Sequence, residues 1–316
     1  VAVDDANSDN DFDPVADQTV SATTTDDDVA GFTVVESGGS TSVDESGTTD
    51  TFTVVLNAQP ASNVVVLLVS SDDTGEATVS GALTFTPANW DTAQTVTVTG
   101  VDDNLVDGSQ VSTITISIVD DVSDNDFDAV ADQTVSATTT DDDVAGFTIA
   151  QTDATTSVAE TGTTDTFTVV LNAQPASNVV LTVTSSDTGE ATVNSPLTFT
   201  SGNWNTPQTV TVTGADDNII DGTVTSTITV AVDDGASNDS FDDLADQTVS
   251  TTTTDDDVAG FTVVESGGST AVAESGTTDT FTVVLNAQPA SNVVLTVTSS
   301  DTGEATVNSP LTFTPA

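Results

Sequence analysis

Thr166-Phe167-Thr168-Val169-Val170-Leu171 decides the class of fold. In an extended chain Phe167, Val169 and Leu171 fall on one face, and Thr166 and Thr168 on the other. Period two with β-branched residues marks a half-buried strand. Thr209-Val210-Thr211-Val212-Thr213 and Thr227-Ile228-Thr229-Val230-Ala231-Val232 alternate in the same way, and no stretch sustains a helical period. Turn chemistry separates these runs. Asn172-Ala173-Gln174-Pro175-Ala176-Ser177-Asn178 follows the first of them and recurs unchanged at 57–63 and 286–292. In the first copy the pattern predicts strands at about 31–36, 50–56, 63–70, 76–85, 94–100, 112–119 and 132–139. Short strands at this density predict an all-β chain of antiparallel sandwiches. Phe32, Phe52, Leu56, Phe85, Trp90 and Phe127 supply the large residues of a core, and Trp90 and Trp204 are expected as plugs or strand-end lids.

The recurrence extends along the whole chain. Asp26-Asp27-Asp28, Asp141-Asp142-Asp143 and Asp255-Asp256-Asp257 are each followed by Val-Ala-Gly-Phe-Thr, at spacings of 141 − 26 = 115 and 255 − 141 = 114. That period is the size of a small domain, not of a solenoid rung. The expected organisation is the end of one repeat (1–28), two full repeats (29–143 and 144–257) and the start of a further one (258–316). A window of a longer repeat array is the favoured reading of the partial ends. The alternative is a filament subunit whose ends complete each other by strand sharing between neighbouring copies.

The composition excludes several functions. The chain has no Lys, Arg or His against 51 Asp plus Glu, a net charge of −51. Phosphate contacts need basic side chains, so nucleic acid is excluded as a partner, and anionic membrane surfaces are disfavoured for the same reason. No apolar run of about 18 residues spans a membrane. Without Cys there are no disulfides and no thiolate metal sites. Without His, Cys, Lys, Arg or Tyr, most acid–base and nucleophilic schemes are unavailable. A two-carboxylate glycosidase repeated every 114 residues is the remaining catalytic form, and a non-enzymatic role is preferred to it.

Three adjacent carboxylates repel one another unless a cation lies between them. Calcium takes six to eight oxygen ligands in irregular geometry and suits Asp and Glu on loops. Zinc and copper prefer His or Cys, and magnesium keeps its waters.

Thr-Asp-Asp-Asp-Val-Ala-Gly closes one repeat and opens the next. It occurs together with Leu-Thr-Phe-Thr-Pro-Ala-Asn-Trp (83–90), Gln-Thr-Val-Thr-Val-Thr-Gly (94–100) and Asp-Asp-Asn-Leu-Val-Asp-Gly (102–108). In this combination the chain resembles the Calx-beta domains found in arrays in large bacterial surface proteins. The resemblance implies tandem Ig-like sandwiches that bind Ca2+ at one tip. It also implies a ligand set of a Glu near the repeat start, paired acids in a late loop and the closing triplet. The matching residues are Glu45, Glu160 and Glu274; Asp102 and Asp103, Asp216 and Asp217; and Asp26, Asp27, Asp28, Asp141, Asp142, Asp143, Asp255, Asp256 and Asp257. Asp72 or Asp73, Asp187 and Asp301 are candidates for a further acid in an earlier loop. Asp107 and Asp221 stand where the family often has Glu and are left outside the set. The alternating acids Asp124, Asp126 and Asp128 do not persist as a set, their counterparts being Asn238, Ser240 and Asp242, and the loop is expected to be mostly solvated, with a weak extra calcium site as the alternative.

The function expected from these readings is a structural repeat of a calcium-stabilised stalk, adhesin or filament, on a bacterial surface or outside the cell. Its partners would be calcium ions, adjacent repeats and neighbouring copies of the chain. Thr-rich strand faces such as Thr95-Val96-Thr97-Val98-Thr99 leave glycan or ice binding as an alternative.

Overall fold

A computed structural model describes residues 1–61 and 65–315. It contains β1 (Phe32–Glu36), β2 (Thr41–Asp44), β3 (Thr49–Leu56), β4 (Val65–Ser71), β5 (Ala77–Val79), β6 (Leu83–Phe85), β7 (Gln94–Gly100), β8 (Leu105–Val106), β9 (Gln110–Ile118) and β10 (Gln133–Thr140). The second copy repeats them as β11 (Phe147–Gln151), β12 (Thr156–Ala159), β13 (Thr164–Leu171), β14 (Gln174–Pro175), β15 (Val179–Ser185), β16 (Ala191–Val193), β17 (Leu197–Phe199), β18 (Gln208–Gly214), β19 (Val224–Val232) and β20 (Gln247–Thr254). The last segment holds β21 (Phe261–Glu265), β22 (Phe281–Leu285), β23 (Val293–Leu295) and β24 (Leu311–Phe313). Among the described residues the helical pieces are three-residue 3-10 turns, and no helix is long and apolar enough to cross a membrane.

Two compact units form: residues 1–102 with 110–140, and residues 103–109 with 141–316. The first is a sandwich of a four-stranded sheet, β1-β3-β7-β5, and a five-stranded sheet, β2-β10-β9-β4-β6. Phe52 and Val54 from one sheet and Leu67, Phe85, Ile114 and Ile116 from the other share one core, all fully buried. The second unit repeats this as β11-β13-β18-β16 and β12-β20-β19-β15-β17, around Phe167, Phe199, Ile228, Val230 and Phe241. Burial along β13 alternates as the Thr/apolar pattern requires. Each aromatic side chain buried this fully contributes about 1.5–3 kcal/mol.

Pairing is antiparallel throughout both sandwiches except at β2 with β10 and β12 with β20, which run parallel. The expected strand 76–85 is two strands, because the chain changes sheets at Ser80-Gly81-Ala82 and β5 and β6 join opposite sheets. Ala77 and Phe85 both point inward, from opposite sides of the core. The expected strand 63–70 begins at Val65, and residues 63 and 64 lie outside the described residues. Strands β2 and β8 were not expected, since four and two residues are too few for alternation to register.

Trp90 and Trp204 pack on the two cores half-buried, and their main-chain oxygens accept from the Leu56 and Leu171 N–H groups at 3.2 Å. Asp124 departs from its expected solvated state, being only 5% exposed. It accepts from the N–H groups of Asp126 and Ala61, so it ties a 3-10 turn to the turn after β3. Asn238 replaces it in the second copy, accepting from the Ser240 N–H and donating to Ser177 Oγ.

Candidate metal centre

In the second copy every element of the acidic site lies within one unit. Parallel pairing brings the first two ligands together. Ala159, the last residue of β12, is in register with Thr254, the last residue of β20. The Glu160 N–H then donates to the Thr254 carbonyl at 3.1 Å. Glu160 and Asp255 therefore leave the same end of the sheet side by side. In an antiparallel pair these two residues would have emerged at opposite ends.

A second acid arrives from the other sheet. Glu190 precedes β16, and Ala191 pairs with Gly214 at the end of β18. The Ala215 N–H and the Thr253 hydroxyl both donate to the Glu190 carbonyl, at 2.8 and 3.2 Å. Gly214 lets the two sheets close at this tip, because a Cβ there would collide with the Ala159 carbonyl oxygen. Directly after Gly214 comes the late loop, Asp216 to Gly222. The Asp221 and Gly222 N–H groups donate to Asp255 Oδ2 at 3.1 and 2.8 Å, and the Asp257 N–H donates to Asp255 Oδ1 at 2.8 Å. Asp255 is thus the post on which the loop is hung.

Five carboxylates converge. One oxygen each of Glu160, Glu190 and Asp221 lies within 4.8 Å of the others, and so does one oxygen each of Glu160, Asp255 and Asp257. Glu160 belongs to both groups. It is 1% exposed and Glu190 is 5% exposed. Glu160 Oε2, Glu190 Oε2 and Asp257 Oδ2 are buried with no hydrogen-bond partner. Leaving such groups unsatisfied is costly. No basic side chain exists in the chain to neutralise them.

The titration behaviour follows. Burial, then the charges of Asp217 and Asp255, pushes Glu160 up to about 7 from an ordinary 4.5, against a backbone N–H from Asp256 that favours its charged form. Glu190 is raised by burial and by Asp221, and Asp257 by burial and by Asp255. Asp255 is lowered by its N–H donors, Gly222 first. A bound cation would reverse the unfavourable terms, since it supplies the opposite charge and fills the vacant lone pairs. A donor set made only of carboxylate oxygens fits a hard divalent ion, and calcium in particular.

The expected ligands divide accordingly. Glu160, Asp255 and Asp257 meet in one group, whereas Asp216, Asp217 and Asp256 enter neither group. Asp217 Oδ1 instead accepts from the Ile219 N–H at 2.6 Å, and Asp103 Oδ1 accepts from the Leu105 N–H at the same distance. Asp102 and Asp142 are exposed. Asp141 holds its loop as Asp255 does, accepting from the Asp107, Gly108 and Asp143 N–H groups. Glu45, at 1% exposed, and Glu76, at 8%, are buried at the positions matching Glu160 and Glu190. Asp26, Asp27, Asp28 and Glu274 are exposed and enter no acidic group among the described residues.

The earlier-loop candidates Asp72, Asp73, Asp187 and Asp301 enter no acidic group among the described residues. Asp73, Asp187 and Asp301 each accept from the N–H of the glycine two residues on, at 3.0 Å, which shapes the turn. In the first two copies the buried acid is the Glu that follows that glycine, Glu76 and Glu190, whereas Glu304 is exposed. The signal was present, because Asp-Thr-Gly-Glu-Ala-Thr stands unchanged at 73–78, 187–192 and 301–306. Asp221, outside the ligand set that the resemblance implies, is inside the first group.

No family model and no curated protein matches the chain. Among solved structures it is similar to CBD12 from CALX1.2, at 17% identity and a TM-score of 0.27, covering 63% of this chain and 79% of that one. It is also similar to the S-layer protein SbsC domains 4 and 5, at 16% identity and a TM-score of 0.30, covering 72% and 99%. SbsC domains 5-6 match at 21% identity and a TM-score of 0.24, covering 71% and 98%. Whole-chain similarities at these scores establish neither a family nor a ligand for this chain.

Proposed function

We propose that the chain is a run of non-enzymatic structural repeats from a calcium-stabilised stalk, adhesin or filament on a bacterial surface or outside the cell. One observation carries this reading: a buried Glu160 with an unpartnered oxygen, facing four further carboxylates in a chain without a single basic side chain. Glu160, Glu190, Asp221, Asp255 and Asp257 would hold the ion, with Glu160 shared by both groups. In this reading the domains follow the sequence period, 29–143 and 144–257, with 1–28 and 258–316 as parts of adjoining repeats. Extracellular calcium, in the millimolar range, suits sites of this type even when their affinity is modest. Repetition of the acidic triplet at spacings of 115 and 114 residues fits a structural repeat better than an active site.

The test is thermal unfolding with calcium and with chelator, on wild type and on Glu160→Gln. Calcium should raise the wild-type midpoint, and by much less in the variant. Equal midpoints for wild type in calcium and in chelator would remove calcium from the proposal and leave the triplets as acidic linkers.

A further inference from the structure

The late loop has a second face. Residues 103–109 belong to the unit built from the following repeat, not to the sandwich whose strands flank them. The Gln174 N–H donates to the Asn104 carbonyl at 2.7 Å. Leu105 and Val106 pair in parallel with Gln174 and Pro175. Val106, 9% exposed, joins the core that holds Phe147, Leu171, Ala173 and Val179. The next junction repeats the arrangement inside the same unit. The Gln288 N–H donates to the Asn218 carbonyl at 2.5 Å, and the Ile220 N–H donates to the Gln288 carbonyl at 3.3 Å. Ile219 bridges Gln288 in parallel, and Ile220 lines a cleft with Phe261, Leu285, Ala287 and Pro289.

We propose that the Asp-Asp-Asn-aliphatic-aliphatic-Asp-Gly loop is a docking element whose partner is another copy of this repeat, and that docking does not require metal. The receptor is the base of the following repeat, made of the Asn-Ala-Gln-Pro turn and the apolar end of its core. These contacts are between main-chain groups or between apolar side chains, and no carboxylate takes part in them. The loop's acids point to its own repeat instead: Asp221 to Glu160 and Glu190, and Asp217 to the Ile219 N–H. Proline at 175 and 289 has no N–H, so the glutamine before it is the donor that fixes register. This inference stands apart from the calcium reading, because it concerns the face of the loop that carries no charge.

Amide hydrogen exchange on the full chain tests it, in calcium and in chelator. Gln174 and Gln288 amides report docking, and the Leu171 amide, bonded to the Trp204 carbonyl, reports folding of the second copy. Chelator should leave Gln174 and Gln288 within about threefold of their rates in calcium. Val106→Asp should speed Gln174 exchange by about tenfold or more while Leu171 and Gln288 stay protected. Ile220→Asp should do the same to Gln288 alone. If Val106→Asp also releases Leu171, Val106→Ala gives the milder version of the same reading. The inference is overturned if chelator alone releases Gln174 and Gln288 as fully as the aspartates do, or if neither loop variant changes them.

Discussion

The two ends of the second sandwich share strands but not chemistry. At one end Leu171, Val179, Phe199, Val230 and Phe241 form a buried apolar core. At the other, Thr156, Ser226, Thr251, Thr253, Glu160 and Glu190 are buried just as deeply. Strand β20 runs through both. Its inward residues are Val249, Thr251 and Thr253, and the next in phase is Asp255. Every second residue becomes more polar toward the tip. The hydroxyls of Thr156, Ser226 and Thr251 are buried without partners, at a typical cost of about 1–3 kcal/mol each. The apolar end stabilises the fold whatever the solvent contains. The acidic end opposes folding until something positive reaches it.

That contrast is open to attack at several points. Phe167→Ala should have the largest effect, about 3–5 kcal/mol of stability. The loss should be the same with calcium or chelator in an unfolding titration, because the ring belongs to the apolar core and to neither acidic group. A calcium-dependent loss would mean the two ends are not separable. Chelation of wild type should come next. A site at a hundredfold excess of calcium over its dissociation constant contributes about 2.7 kcal/mol, and Glu160→Gln or Asp257→Asn should abolish most of that increment. Gly214→Ala should cost about 1–3 kcal/mol by forcing the sheets apart at the tip, and should also weaken calcium binding measured by calorimetry. The corresponding change at Gly162, where only open space surrounds the Cβ but φ is +83°, would act on the turn alone.

The pH dependence sharpens the comparison further. Glu160 titrates near 7 in the folded, metal-free chain and near its ordinary 4.5 when unfolded. A carboxyl raised in this way contributes stability that is present below 4.5 and lost as pH climbs to about 7. Metal-free protein should therefore be stabilised on acidification across that window, and Glu160→Gln should flatten the response. In calcium the trend should invert, since protons and the ion compete for the same oxygens. Parallel trends in both conditions would sever Glu160 from the metal. The smallest effect belongs to Asp256→Asn. Its side chain is exposed and outside both acidic groups, so stability should move by no more than about 0.5 kcal/mol and the calcium response should persist.

Most of the sandwich was legible beforehand. Thr166 to Leu171 announced β13 and its buried face, and the phenylalanines predicted as core are buried in both complete copies. The chain's change of sheet at Ser80 to Ala82 was not legible, because both flanking strands are inward-apolar and alternation does not say toward which sheet. Nor was the burial of Asp124, an acid whose cap role depends on a turn some sixty residues away. Of the five grouped carboxylates, Glu160, Asp255 and Asp257 were among the residues named from repetition and resemblance, and Glu190 could have been. What separated Asp255 from Asp256 was strand phase: alternate residues of an extended chain face opposite sides, and only the end of β20 shows which side is inward.

The sequence by itself determined the period, the extended conformation of its alternating runs, and a charge that no residue of its own can balance. These are local or compositional properties, fixed by residue type and spacing. Tertiary structure alone decided that β12 runs parallel to β20, so that Glu160 and Asp255 leave the sheet at one end. It also decided that Gly214 lets the opposite sheet bring Glu190 and Asp221 against them, that Val106 joins the core of Phe147 and Leu171, and that Ile220 lines a cleft with Phe261 and Leu285. Those outcomes depend on strand direction, register and close approach between residues up to 95 positions apart (160 to 255), which no local pattern encodes.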